Sequence, residues 1–222
     1  MIIQWRIISC LIVEKVVEKA SMLFVKGRFC GKDVVVVRSG IGKVNAAVCA
    51  QILVDVFNVD VLINTGVAGS LDAAIDIGDI VISTDAVQHD MDVTALGDPL
   101  GQIPRMDTFS FPADARLVEL AMQANKEANP NIKTFTGRVV SGDQFISSGA
   151  DKERLVTVFG GKCAEMEGAS IAHAAYLNKV PCVIIRAISD KADNSATMDY
   201  PEFEKRAIAQ SVKLMHHLIP RI

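Results

Sequence analysis

Short runs of apolar and β-branched residues alternate along the chain with segments whose apolar residues recur every three or four positions. Several runs are apolar at consecutive positions, which is typical of strands that are covered on both faces. The runs predict strands over Arg6–Val13, Val34–Arg38, Val61–Asn64, Asp79–Ser83, Arg138–Ser141 and Cys182–Ile188. The three- and four-residue spacing predicts helices over Val44–Phe57, Ala113–Ala128, Gly168–Leu177 and Glu202–Leu218.

This alternation of strands and helices predicts an α/β fold, a sandwich around a largely parallel or mixed sheet. Loops are expected over Asp98–Pro104 and Asn194–Pro201, where proline, glycine and polar residues collect. We find no internal repeat, linker or low-complexity tract, and 222 residues are enough to bury one large core. Residues 1–222 are therefore predicted to form a single domain.

Composition narrows the classes of function. Half of the residues are apolar and 22% are charged, which excludes a disordered chain. A formal charge of −3 without a cluster of Lys or Arg argues against nucleic acid and favours a small polar ligand or another protein. The five cysteines are scattered among apolar neighbours, which indicates reduced thiols in a cytoplasmic protein rather than a zinc site. No apolar run approaches the length of about 18 residues that spans a bilayer.

Two glycine-rich turns follow predicted strands. Ser39–Lys43 precedes an amphipathic helix, whose free N–H groups could meet an anion or a hydroxyl, but a tight turn is an equally good interpretation. It matches neither the Walker loop nor the dinucleotide fingerprint. Asn64–Ser70 places small residues after a buried strand, where ligands bind in open α/β sheets. Two such turns in one sheet favour a shared pocket more than either turn does alone.

Two other loops carry candidate binding residues. His89–Thr94 is rich in polar residues, yet one imidazole and two carboxylates are too few for a metal site, so a pocket wall or subunit contact is favoured. Ser141–Ile146 ends another strand. Phe145 could stack on a planar base while the Ile146 backbone reads the edge of that base, although a phenylalanine is more often a core residue.

Carboxylates in apolar surroundings are the strongest chemical signal, because burying an unpaired charge is costly. Glu165 and Glu167 would share a face if both were on a strand, and Glu167 comes directly before a helix of small residues. Asp190 ends an apolar strand, where capping the next helix is the alternative role. Glu14 ends the first apolar run and is either a third functional acid or a solvated residue.

Taken together, these segments resemble the 5′-methylthioadenosine/S-adenosylhomocysteine nucleosidases of the purine nucleoside phosphorylase superfamily. The matching segments are Ser39–Lys43, Asn64–Gly69, Gly78–Val81, His89–Ala95, Val140–Ile146, Ala164–Ala169 and Arg186–Asp190. The resemblance implies a three-layer α/β/α sandwich with a central mixed sheet, as in nucleoside phosphorylases and hydrolases. It implies hydrolysis of the N-glycosidic bond of methylthioadenosine and adenosylhomocysteine, and also of 5′-deoxyadenosine, in methionine salvage. It implies no cofactor and no metal.

The resemblance also implies roles for single residues. Asp190 is expected to protonate N7 of the leaving adenine, and Glu167 to hold the ribose hydroxyls with Met166 against the sugar. Phe145 and Ile146 would contact adenine, and Gly69 the sugar. A homodimer is implied, with Asp92–Leu96 as the candidate contact between subunits. The remaining positions expected to touch substrate are Ile41, Val93 and Tyr200, the last standing where the family commonly has phenylalanine.

The beginning of the chain departs from the family pattern, in which a first strand leads to Gly-Ala-Met-Glu-Glu-Glu. Aligned on Ile7 and Ile8, Glu14 falls on the glutamate that activates the water, but the two acids before it are replaced by Ile12 and Val13. The following stretch is shorter than usual by about ten residues, so most of the first helix is expected to be missing or reshaped. A non-catalytic or impaired nucleoside-binding homologue and a purine nucleoside phosphorylase are therefore the alternatives.

Overall fold

The structure, a computed structural model, describes residues 7–191 and 200–222, with side chains from residue 207 onward in the second range. Its strands are β1 (Ile12–Lys19), β2 (Met22–Phe29), β3 (Lys32–Val37), β4 (Leu62–Ser70), β5 (Ile80–Gln88), β6 (Phe111–Pro112), β7 (Thr134–Ser141), β8 (Gly161–Glu165) and β9 (Cys182–Asp190). Its α-helices are α1 (Lys43–Phe57), α2 (Ala115–Ala128), α3 (Gly149–Phe159), α4 (Gly168–Asn178) and α5 (Tyr200–Leu218).

The central sheet has six strands in the order β6-β5-β7-β8-β4-β9, and β9 also pairs with β5. The strands β5, β7, β8, β4 and β9 therefore form a closed ring. Within the ring, β4 runs parallel to β9 and β5 parallel to β7, whereas β4 is antiparallel to β8 and β5 antiparallel to β9. The sheet is thus mixed, as the sequence predicts.

Helices cover the sheet on both faces. On one face α1 and α4 pack together through small residues that include Ala46, Ala50 and Ala172, which allow the helices to approach closely. On the other face α2 and α5 contact each other, and Leu117 and Ile208 belong to the core beneath them. The predicted α/β/α sandwich is confirmed. Apolar area buried on both faces of the sheet is the main contribution to stability.

A separate antiparallel sheet, β1-β2-β3, packs on α1 through Phe24, Cys49 and Ile52. The predicted strand over Arg6–Val13 is wrong for residues 7–11, and only Ile12 and Val13 of that range lie in a strand. Ile7 and Ile8 are helical, a turn follows, and the first strand begins only at Ile12. The residues after Glu14 form two hairpins rather than a long helix, as the shortened stretch predicts.

The other predicted elements exist, and most strands are longer than expected. The residues of β2, β8 and α3 were not predicted to form strands or helices. In β8 the sequence Gly161–Glu165 mixes glycine, alanine and charged residues, and only pairing with β7 and β4 makes it a strand. The Asp98–Pro104 loop is confirmed as lacking strand or α-helix. The predicted loop Asn194–Pro201 falls mostly outside the described residues, and its last two residues begin α5.

All five cysteines are free, and Cys49, Cys163 and Cys182 are buried. Burial raises the pKa of the Cys49 and Cys182 thiols to about 12, and it also raises the pKa of Cys163. Across residues 7–191 and 200–222, no helix combines the length and apolar character needed to cross a membrane.

Candidate active site

Strand register brings the ends of four strands of the ring to one place. Ser141 at the end of β7 is opposite Glu165 at the end of β8. Ala164 is opposite Gly69 near the end of β4, and Gly69 is in turn opposite Asp190, the last residue of β9. The antiparallel pairing of β4 with β8 continues past the end of β4, where the Leu71 N–H donates to the Lys162 carbonyl at 3.0 Å. Gly69 therefore lies between the acidic segments that the sequence singled out.

Glu165 is the structural anchor of the site. Its side chain is 2% exposed, and its carboxylate accepts hydrogen bonds from the hydroxyl of Ser141 and from Arg186. It also accepts the backbone N–H groups of Glu167, at 3.0 Å, and Gly168, at 2.8 Å. These N–H groups open helix α4, so the carboxylate caps a helix from the preceding strand. The Glu165 carboxylate is therefore engaged by protein donors and is not available to a ligand.

Glu167 has a different environment, because it leaves the strand. It is the N-cap residue of α4, directly before the helix of small residues as the sequence predicts, so it does not share a strand face with Glu165. Its Oε1 accepts the N–H of Gly42 at 3.0 Å, and its Oε2 is 3.9 Å from Arg186 Nη2. Burial raises the pKa of Glu167, whereas Arg186 and the Gly42 N–H act in the opposite direction and the Glu165 charge adds to the rise. Of this pair, Glu167 has acceptor capacity left for a ligand.

Arg186 holds these acids in place, and the sequence analysis assigned it no role. It lies in the middle of β9 with its side chain 3% exposed, and it donates to Glu165 and to Asn64 Oδ1. It stands opposite Gly66 in the parallel ladder, and a Cβ on Gly66 would overlap its Nη1 atom. An arginine inside the apolar run Cys182–Ile188 was the available signal, because a buried guanidinium requires an acidic partner.

Asp190 ends β9 at the border of the buried region. The Ser189 hydroxyl donates to Asp190 Oδ2 at 2.8 Å. The alternative, that Asp190 caps the next helix, falls on residues 192–199, which lie outside the described residues. Asp190 is partly exposed and is opposite Gly69; we call this place, where Gly69 has Ala164 on one side and Asp190 on the other, the Gly69 junction.

The apolar residues expected to touch substrate differ in their burial. Phe145 follows β7 and is 74% exposed, so the alternative that it is a core residue is wrong. Ile146 is buried among Leu155 and Phe159, and Met166 is half-buried between Glu165 and Glu167.

Three further residues are expected to touch substrate, namely Ile41, Val93 and Tyr200. Ile41 is 54% exposed in the turn before α1, and Val93 is half-buried at the start of a short 3-10 helix, Thr94–Leu96. The side chain of Tyr200 lies outside the described residues.

Glu14 lies in the separate sheet β1-β2-β3. It sits at a β-bulge between Val13 and Lys15 and is exposed. The bulge faces Gly27 of β2, and Gly27 pairs with Val34 near the beginning of β3, whereas Ser39–Lys43 follows the opposite end of β3. The three residues from Val34 to Val37 span roughly 10 Å of strand. The strand register therefore gives no support for the expectation that Glu14 lies beside the other acids.

A cavity of about 600 Å³ opens at the other end of β9, around Cys182 and Tyr176. Its two acids already have protein partners, since Asp107 accepts the Tyr176 hydroxyl and Asp114 caps α2. The Gly69 junction, with partly exposed Glu167 and Asp190, is the better candidate for chemistry.

Comparison with known proteins places this geometry in context. The model of the phosphorylase superfamily matches residues 8–220. A 5′-methylthioadenosine/S-adenosylhomocysteine nucleosidase of Treponema pallidum is 40% identical, covering 92% of this chain and 84% of the relative. The nucleosidase of the same name from Neisseria meningitidis, solved with methylthio-immucillin-A, superposes with a TM-score of 0.93 at 36% identity, covering 100% of this chain and 96% of that one. The futalosine hydrolase of Helicobacter pylori superposes with a TM-score of 0.92 at 32% identity, covering 100% and 95%.

Proposed function

Because the chain belongs to the 5′-methylthioadenosine/S-adenosylhomocysteine nucleosidase family of the phosphorylase superfamily, we propose that it hydrolyses the N-glycosidic bond of these two nucleosides. The products are adenine and the corresponding thioribose, and the reaction belongs to methionine salvage in the cytoplasm. The enzyme is an N-glycosyl hydrolase.

The observation that carries this proposal is that Gly69 is opposite Asp190 on one side and, on the other, Ala164, which comes three residues before Glu167. Two carboxyl groups in different surroundings suit two different tasks. Asp190 protonates N7 of adenine as the bond breaks, because a neutral base is a better leaving group. Glu167 accepts the ribose hydroxyls and stabilises the positive charge that develops on the sugar.

The neighbouring side chains support binding of an adenine nucleoside. The exposed ring of Phe145 stacks on the base, and the Ile146 backbone contacts its edge. Met166, Gly69 and Ile41 line the sugar. Val93 and Tyr200 complete the binding residues.

The buried ion pair of Arg186 favours hydrolysis over phosphorolysis. A phosphorylase needs a cation that is available to phosphate. Arg186 lies over Gly66 in the candidate site, but its guanidinium is buried against Glu165 and Asn64. Adenine release from methylthioadenosine should therefore be independent of added phosphate. A rate that requires phosphate would show the chain to be a phosphorylase.

The decisive experiment is an adenine-release assay on wild type and Asp190→Asn. Loss of a general acid typically lowers the rate 10²- to 10⁴-fold, and we expect a loss in that range. Asp60→Asn, which alters an exposed aspartate before β4, is the matched control and should retain wild-type rates. Methylthioadenosine, adenosylhomocysteine, 5′-deoxyadenosine and futalosine are compared as substrates. Hydrolysis of futalosine alone would assign the chain to the activity of the Helicobacter pylori relative instead.

The placement of Glu14 supports one alternative, an impaired homologue that binds nucleosides without cleaving them. Hydrolysis also needs a group that activates water, and Glu14 lies apart from the acids at the junction. Calorimetry with methylthioadenosine separates the two functions. Binding without adenine release would establish the alternative, whereas release at any substantial rate would exclude it.

We also propose that the protein is a homodimer. Helix α1 exposes Val44 and Val48 one turn apart, and Leu96 in the Asp92–Leu96 segment is 81% exposed. Exposed apolar side chains of this kind favour burial against another chain. Light scattering of wild type should give the mass of a dimer, and Val44→Glu should give a monomer. A wild-type monomer at micromolar concentration would contradict this proposal.

A further inference from the structure

We propose that Lys43, Asp90 and Asp143 are positioning residues for the reaction, a clamp that fixes the Gly42 N–H against the Glu167 carboxylate. The inference rests on the proposed function of Glu167 as the group that holds the ribose. Lys43 is the first residue of α1, and Asp90 and Asp143 lie in the loops after β5 and β7. We use the name clamp for these three residues only.

The clamp acts on two consecutive N–H groups at the start of α1. The first, from Gly42, donates to Glu167 Oε1 at 3.0 Å. The second, from Lys43, donates to Asp143 Oδ1 at 2.8 Å. The backbone of Gly42 and Lys43 therefore binds both carboxylates, that of Glu167 and that of Asp143. A rotation of that backbone that broke one hydrogen bond would also move the other.

An ion pair closes the clamp. Lys43 Nζ is 2.7 Å from Asp90 Oδ1, and the side chains are 21% and 14% exposed. The other oxygen of Asp90 accepts the Asp143 N–H at 2.9 Å. Burial alone would raise the pKa of Asp90, but Lys43 and the Asp143 N–H outweigh it and hold the pKa below its ordinary value. Asp90 is therefore charged at neutral pH and links Lys43 to Asp143.

Helix α1 depends on this arrangement because it has no cap of its own. Its N-cap residue, Gly42, has φ +91° and no side chain, and the first turn carries no acidic residue. By contrast, α2 and α3 are capped locally, by Asp114 and Ser148. A Cβ on Gly42 would lie 2.9 Å from Asp143 Oδ1, so the aspartate occupies the space that a side chain would take. Asp143 replaces the missing cap from a distant part of the chain.

The clamp affects substrate binding through the ionisation of Glu167. The groups that face its carboxyl are Arg186 from β9, Glu165 from β8 and the Gly42 N–H. The N–H favours the ionised carboxylate, which is the form that accepts ribose hydroxyls. Loosening the clamp should therefore make Glu167 harder to ionise, and substrate affinity should be lost at a higher pH than in wild type.

The test compares Lys43→Met and Asp90→Asn with Lys162→Met. Lys162 forms a similar ion pair with Asp72, at 2.5 Å, and has no hydrogen bond to Gly42 or Glu167, which makes it a matched control. We expect KM for methylthioadenosine to rise about tenfold in the two clamp variants, as for loss of one charge-assisted hydrogen bond. The acid limb of kcat/KM should move to higher pH in both variants and stay in place in Lys162→Met. The double variant should be little worse than either single one, because the residues act together.

A readout without substrate separates failure of the clamp from failure of the proposed function. The Glu167 carboxyl is titrated by NMR in protein labelled with ¹³C-glutamate, and Glu167→Gln assigns its signal. We expect the pKa of Glu167 to be higher in Lys43→Met and Asp90→Asn than in wild type and in Lys162→Met. Folded clamp variants with a wild-type Glu167 titration would overturn the inference. Absence of adenine release from wild type would overturn the proposed function alone.

Discussion

Arg186 and Glu165 form an ion pair whose two side chains are almost completely buried beneath the Gly69 junction. The Glu165 carboxylate also receives the first N–H groups of α4, so one carboxylate connects β9, β8 and the helix that begins at Gly168. A buried pair of this kind adds little stability compared with apolar residues, but removing one partner leaves a costly unpaired charge. Its function is to fix the position of Glu167.

Glu165→Gln should therefore destabilise the protein strongly. The amide presents only one acceptor oxygen, so Arg186 or the α4 N–H groups lose their partner, and we expect the free energy of unfolding to fall by about 3 kcal/mol. Urea unfolding measures this change. Glu153→Gln, on the exposed face of α3, is the control and should alter stability by less than about 0.5 kcal/mol. Equal stability of the two variants would contradict the anchoring role.

Gly66→Ala tests the contact between Gly66 and Arg186. The new Cβ would overlap the guanidinium, which Glu165 and Asn64 hold in place, so the cost should be about 2 kcal/mol from overpacking. Thermal unfolding measures the loss.

The matched control for that variant is Gly149→Ala at the beginning of α3. A Cβ there would meet nothing within 4 Å, and the backbone does not have a positive φ. We expect this change to be neutral or slightly stabilising, because alanine favours the helix. If both glycine variants unfold at the wild-type temperature, Arg186 can move aside and the site is less rigid than we infer.

Glu14→Gln should leave adenine release unchanged, within about twofold. Glu14 is exposed on the β1 bulge, in a different sheet from the strands that carry Gly69 and Asp190. General bases typically contribute 10²- to 10⁴-fold to a rate, so the two cases are easily distinguished in the assay. Glu18→Gln, on the same exposed strand, is the control. A large loss confined to Glu14→Gln would show that β1 moves toward the site during catalysis.

The thiols should fall into two classes in native protein at pH 8. The thiolate is the reactive form, and burial raises the pKa of Cys49 and Cys182 to about 12 and that of Cys163 as well. Cys10 and Cys30 are exposed, so two thiols should react with Ellman's reagent before unfolding and five after it. Partial burial and the charge of Cys10 raise the pKa of Cys30, which should slow its reaction. Mass spectrometry after alkylation identifies the modified residues, and early labelling of Cys163 would contradict the buried core.

Much of the fold follows from local pattern, and much of the site does not. The runs within β4 and β9 are apolar on consecutive positions, and α1 and α4 have clear helical spacing, so their existence is predictable. The role of Arg186 is not, because its partners lie on β8 and β4 and only register brings them together.

Glu14 and the turn Ser39–Lys43 also show that sequence pattern does not predict contacts between distant residues. The sequence of Ser39–Lys43 predicts a turn before a helix, but the residue that caps this helix, Asp143, is 100 residues from Lys43. Alignment of a short motif predicts the position of Glu14, whereas hairpin pairing with β2 decides it. Sequence motifs therefore identified the acids more reliably than their neighbours.

The closed ring of strands also determines when the protein can fold during synthesis. The pairing of β5 with β9 closes the ring and joins Ile80 to Ala187, roughly a hundred residues apart. It cannot form until the ribosome has made the intervening chain. Until then the growing chain presents open strand edges that can pair with other chains. We therefore expect nascent chains that stop before Cys182 to depend on chaperones and to aggregate without them, whereas the completed chain does not.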